Sequence, residues 1–172
     1  MNTSSMKRAI TIVLVGTAAS VCPVRANTQT RLGVASGAIF SVYQATSLPS
    51  SQLINPEELV KILQSSKGEK PLMIQVGSHV LYQQAHIPGS EYIGPASSES
   101  GLQSLRKRVE SLPRNKFIVI YCGCCPWSHC PNVKPADDAL RAMGFTNVRV
   151  LYIANNFGAG WVDKGYPVAK GD

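Results

Sequence analysis

Charge is scarce in this sequence: 16% of its residues are charged, 7% are aromatic, and only three are histidine. Of 172 residues, 17 are basic and 10 acidic, a net charge of +7. The one dense basic cluster, Arg106-Lys107-Arg108, lies in a segment with the periodicity of an amphipathic helix. It reads as a solvated face, and no nucleic-acid partner is expected. Long hydrophobic runs are lacking too. The apolar stretch from Ala9 to Ala19 is too short to span a bilayer, which argues against stable membrane insertion. No C-x-x-C-H motif occurs, which excludes haem attachment. Cysteine is missing from nearly the whole chain. Of five, one is Cys22, and Cys122, Cys124, Cys125 and Cys130 share a single loop. A structural disulfide framework would spread its cysteines to close long loops, and these four close almost nothing.

What is present begins with a leader. Lys7 and Arg8 precede the apolar stretch, and a short polar segment ends in Val24-Arg25-Ala26. That is the pattern of a secretory signal peptide spanning residues 1–26, with cleavage after Ala26. A lipoprotein anchor on Cys22 is disfavoured by Val21 before it and Pro23 after it. Cleavage removes Lys7, Arg8 and Arg25 and no acid, so 14 basic residues face 10 acidic ones and the net charge falls to +4. The mature chain is expected in the periplasm or outside the cell, where disulfides are permitted.

Residues 27–51 form a lead-in in which Ala38 to Tyr43 is a candidate edge strand, and residues 52–172 form one folded domain. Asn55-Pro56-Glu57-Glu58 starts a helix that should run to about Ser65, with Asn at the cap and Pro at the first helical position. Leu72 to Val76 reads as a strand buried apart from Gln75. A short connector leads to the turn His86-Ile87-Pro88-Gly89-Ser90 and a brief strand near Tyr92-Ile93. Leu102, Leu105, Val109 and Leu112 define a helix between Ser98 and Leu112. Phe117 to Tyr121 is an apolar strand of the kind buried on both faces in a parallel sheet. A helix begins near Pro135 and stops at Gly144, a strand spans Asn147 to Ile153, and a last short helix covers Phe157 to Lys164. Strands alternating with helices imply an α/β fold with a mostly parallel sheet.

Cys122 therefore stands at the carboxyl end of a buried strand, where open α/β sheets bind ligands. Loop N–H groups near a helix N-terminus favour a thiolate there. The loop continues through Gly123, Cys124, Cys125, Pro126, Trp127, Ser128, His129 and Cys130. Its cysteines permit three readings. One is sulfur or redox chemistry on Cys122, with Cys124, Cys125 or Cys130 as resolving thiols. Another is a disulfide that shapes the loop. The third is a soft-metal site for Cu(I) on Cys122, Cys124, Cys125 and Cys130. Structural zinc is disfavoured, because the chain offers only His79 and His86 outside the loop as a second ligand pair. His129 reads as a loop-surface residue, His86 as part of its turn, and Trp127 as a loop anchor or pocket wall.

The element order, together with His86-Ile87-Pro88-Gly89-Ser90, Val119-Ile120-Tyr121-Cys122, Gly144-Phe145-Thr146-Asn147-Val148 and Trp161 through Gly165-Tyr166-Pro167-Val168, resembles the rhodanese-like domain over roughly residues 52–169. The resemblance implies a single domain with a five-stranded parallel sheet and helices on both sides. It also implies that Cys122 takes a sulfane sulfur as a persulfide, with a small sulfur-containing donor and a thiol acceptor as partners and no cofactor. This chain departs from the family pattern at Gln75-Val76-Gly77, where an Asp-Val-Arg-like segment is usual. Its loop is also long, with no basic residue before Lys134, so thiosulfate must be held by N–H groups alone. Six residues after Cys122 stands Ser128 rather than the Arg of the related Cys-x5-Arg phosphatase loop, which makes phosphoryl transfer improbable. A domain without catalysis that serves as a binding module is the remaining reading.

Overall fold

The computed structural model describes residues 47–171. The leader and the candidate strand at 38–43 lie outside the described residues. Within them, five short strands build one sheet: β1 (Leu53–Ile54), β2 (Leu72–Gln75), β3 (Glu91–Tyr92), β4 (Ile118–Tyr121) and β5 (Val148–Leu151). Their order is β1-β5-β4-β2-β3, and every pairing is parallel. The helices are α1 (Pro56–Gln64), α2 (His79–Gln84), α3 (Glu99–Val109) and α4 (Val133–Ala142), followed by a π turn at Gly158–Val162. Among the described residues no helix is long and apolar enough to cross a membrane.

The side-chain period of two divides β4 between two cores. Ile118 and Ile120 face Leu105, Val109, Val133, Ala136 and Leu140 of α3 and α4. Val119 and Tyr121 face Leu59 of α1 and Phe157 and Trp161 near the C-terminus. All four β4 residues are buried, as the uninterrupted apolar run requires, and the helices cover both faces.

The structure departs from the sequence reading in four places. The connector after Gly77 contains α2, whose six residues are too few to show a period. The lead-in gives way to β1, two residues long and visible only through its pairing with β5. Helix α4 starts at Val133, because Pro135 sits comfortably in a first turn that donates no hydrogen bond there. Gln75 is 2% exposed rather than pointing to solvent, for a reason that belongs to the site below. At α1 the Pro at the first position is as expected, while the Asn55 side chain makes no cap hydrogen bond.

The turn His86–Ser90 is held by the central strand. The Tyr121 hydroxyl accepts the Ile87 N–H at 3.2 Å and shares a hydrogen bond with Ser90 Oγ at 2.8 Å. His86 is buried, stacked on Tyr82, with Nδ1 2.8 Å from the Tyr82 carbonyl, so its place in the turn is structural. Burial pushes the Tyr121 phenol from its ordinary 10 up to about 12. The fold therefore favours the protonated phenol, and this contribution is complete below pH 10 and is lost as pH rises towards about 12. Over that window the native protein should lose stability relative to Tyr121→Phe by on the order of 2 kcal/mol, as measured by denaturant unfolding. Parallel pH profiles for the two proteins would contradict the assignment.

Candidate active site: a thiol cluster at the end of the central strand

Alternation along β4 puts Cys122 on the same face as Ile118 and Ile120, turned towards α4 and only 4% exposed. The chain then reverses at Gly123. Its φ of +74° lies in the left-handed region, and a Cβ there would stand 2.7 Å from Cβ of Phe157, so the turn needs glycine twice over. Phe157 N–H donates to the Gly123 carbonyl at 2.9 Å and fixes the reversal. As a result Cys124 lies back over Cys122, with the two Sγ atoms 2.9 Å apart, and Cys125 Sγ is 3.4 Å from Cys124 Sγ. The three sulfurs all lie within 4.8 Å of one another. Cys130, buried at the far end of the loop, hydrogen-bonds the Cys122 and Cys124 thiols. No disulfide joins the four.

Three residues shape the floor: Gln75 and Gly77, which the sequence marked only as departures from the family pattern, and Asn132, which the sequence reading did not single out. Gln75 turns inward because its amide bridges two strand exits: Nε2 donates to the Cys122 carbonyl at 3.3 Å, and Oε1 accepts the Gly77 N–H at 3.0 Å. At Gly77 a Cβ would stand 2.7 Å from Cys122 Sγ, so the missing side chain is the space the sulfur occupies. Asn132, 4% exposed, precedes α4 but does not cap it with its side chain. Its Oδ1 accepts the Ser97 N–H at 2.9 Å, and its Nδ2 points to Cys122 Sγ at 3.4 Å and Cys124 Sγ at 3.8 Å. The departures from the family pattern at Gln75 and Gly77 are thus accounted for by the thiol cluster itself. The only advance signal for Asn132 was its position just before a helix.

The rest of the loop is scaffold. Trp127 donates its backbone N–H to the Ala154 carbonyl at 2.9 Å and sets its ring edge against Tyr152, which makes it a loop anchor. Pro126, Ser128 and His129 are exposed; Ser128 Oγ and His129 Nδ1 are 2.8 Å apart, and only the His129 carbonyl approaches a sulfur, that of Cys125 at 3.7 Å. Asp137 and Asp138 do not oppose charge in the site, since Arg141 and Lys134 pair with them along α4.

The charge distribution among the thiols differs from the expectation that Cys122 is the thiolate. Hydrogen bonds from Cys122, then from Cys130, lower the Cys124 pKa far below the ordinary thiol value. Donating to Cys124 and Cys130, together with burial, raises that of Cys122. Burial, then the Cys124 contact, raises that of Cys125. At Cys130 the Cys122 contact lowers the pKa, but the Cys124 contact and burial oppose it and the net shift is upward. One negative charge thus settles at the centre of the cluster, on the half-buried Cys124.

Comparison with known proteins places the chain in a family. The model of the Rhodanese-like domain matches residues 55–152. The chain belongs to the rhodanese-like family. Among solved structures, the Alr3790 protein from Anabaena sp. superposes with a TM-score of 0.52 at 20% identity, over 68% of this chain and 82% of that one. The BH2092 protein from Bacillus halodurans gives 0.52 at 20% identity, over 70% and 78%. A thiosulfate sulfurtransferase from Pseudomonas aeruginosa gives 0.51 at 19% identity, covering 74% of this chain and 20% of that one. These likenesses concern the fold. No curated protein matches the sequence.

In the reduced protein at pH 6, a trace of iodoacetamide should label Cys124 ahead of Cys122, Cys125 and Cys130, because the thiolate is the nucleophile. Peptide mass mapping reads the result. Even labelling, or labelling of Cys122 first, would contradict the charge distribution.

Proposed function

We propose that this chain is an exported sulfurtransferase in which Cys122 carries a sulfane sulfur as a persulfide. The sulfur comes from a thiosulfate- or polysulfide-type donor and passes to a thiol or another nucleophilic acceptor. The observation that carries this reading is the position of Cys122 Sγ, at the end of the central parallel strand, within reach of the Asn132 amide and 2.9 Å from a second sulfur. A donor's outer sulfur, once bonded to Cys122, is an anion at neutral pH. The amide of Asn132 then supplies hydrogen bonding where the family usually places a cation. Family membership and the structural likeness to a thiosulfate sulfurtransferase support the same reaction class.

A second reading rests on a different observation. Cys122, Cys124 and Cys125 offer three soft ligand atoms within 4.8 Å, an arrangement that suits Cu(I). Thiol-disulfide redox would use the same sulfurs, with the Cys122 and Cys124 pair closest.

Intact mass analysis separates these readings. Protein purified without reductant and treated with thiosulfate or inorganic polysulfide should gain one sulfur atom that cyanide or a thiol removes. Peptide mapping should place that sulfur on Cys122, and Cys122→Ser should carry none at position 122 and keep its fold, since a hydroxyl is not a useful sulfur nucleophile. A retained copper ion, lost on changing any one of the three thiols, would favour the metal reading instead. Loss of hydrogens with no added sulfur would favour the redox one.

A further inference from the structure

Cys122 is not the thiol that a solute meets. A cavity of 320 Å³ opens beside the cysteine loop, lined by Gly123 and Cys124 but not by Cys122. Its walls come from α2 and from the turn near the C-terminus. Leu81, Phe157 and Val162 make it apolar, Gln84 and Asn156 add neutral amides, and apart from the Cys124 thiolate none of its lining residues is charged. Cys124 thus has one side on the cavity and the other 2.9 Å from the buried Cys122 sulfur. The Asn132 Nδ2 spans both sulfurs, at 3.4 Å and 3.8 Å.

Resting on the assignment of Cys122 as carrier, we propose that Cys124 is the shuttle thiol of the site. Sulfur enters and leaves through Cys124, and its preferred acceptor in the cavity is an uncharged thiol rather than a polyanion. On the way in, the Cys124 sulfur bonds the donor's outer sulfur. The donor's S–S bond breaks, and its leaving group departs with the electron pair. Cys122 then attacks the outer sulfur of the Cys124 persulfide, so that the new S–S bond forms on Cys122 and the bond to Cys124 breaks. The Cys122 proton passes to the Cys124 sulfur as it leaves, and the persulfide on Cys122 carries the charge. On the way out Cys124 takes the sulfur back, an acceptor thiolate attacks it, and the acceptor leaves as a persulfide. Each step exchanges one S–S bond for another, with no net oxidation. Two adjacent sulfurs make the inner transfer intramolecular, which gives Cys124 its advantage over direct attack on a buried atom.

The test loads the full chain with inorganic polysulfide, alkylates it at timed intervals and maps the added sulfur by peptide mass. Discharge is then timed with 2-mercaptoethanol and, separately, with sulfite. Wild-type protein should accumulate sulfur on Cys122, and Cys122→Ser should hold it on Cys124. Cys124→Ser and Cys124→Ala, each checked for fold by circular dichroism, should load and discharge Cys122 more slowly by about tenfold or more. Leu81→Lys sets a cation on the cavity wall and should shift the ratio of discharge rates towards sulfite. Wild-type rates in both Cys124 variants, or an unchanged acceptor ratio in Leu81→Lys, would overturn the shuttle and leave Cys122 as carrier. Sulfur never found on Cys122 in the wild-type protein would overturn the carrier assignment, and the shuttle with it.

Discussion

A parallel strand buried on both faces leaves its carboxyl end inside the protein, and that constraint organises this molecule. Because side chains alternate, the residue after Tyr121 must continue the face of Ile118 and Ile120, which α3 and α4 cover. A cysteine there is enclosed by the start of α4 and by whatever the next residues bring over it. Gly123 decides that question. Its left-handed turn folds the loop back at once, so the next sulfur lands on the first. The exits of β2 and β4 are tied by Gln75, and the glycine at 77 yields its side-chain volume to the Cys122 sulfur. The loop is therefore positioned by backbone geometry and packing, with charge playing a small part.

Charge in the site is handled without cations. The acids of α4 are matched by bases on the same helix, and the loop contributes none before Lys134. Negative charge on sulfur is instead spread over neighbouring thiols and the Asn132 amide. Such a site stabilises one diffuse charge on a polarisable atom and offers a polyanion little. The uncharged cavity beside Cys124 continues the same character outward.

Most of the fold was legible in the sequence because its main elements are long or flanked by strong signals. The apolar run before Cys122, the Asn-Pro start of α1 and the spacing of Leu102, Leu105 and Val109 each reflect a local preference that the tertiary structure keeps. Elements created by pairing rather than by local preference were not legible: the two residues of β1 exist through β5, and α2 is too short for a period. The cysteine loop was legible as the chemical centre from clustering alone. Its floor was not, since a lone Gln in a strand and an Asn before a helix ordinarily read as solvent-facing and as a cap. Gln75 and Asn132 acquire their roles only from partners 47 and 10 residues away.

The convergence of the sulfurs of Cys122, Cys124 and Cys125 is the claim on which the rest stands, and a trivalent arsenical measures it directly. Such a reagent binds tightly only where neighbouring thiolates share one soft centre. Reduced protein titrated with arsenite, which exchanges three hydroxyls for three thiolates, should bind one As(III) in this loop, and peptide mapping of the thiols still open to alkylation should show Cys122, Cys124 and Cys125 protected together. If all three remain open to alkylation at stoichiometric arsenical, or are blocked independently of one another, the sulfurs do not converge and the account fails.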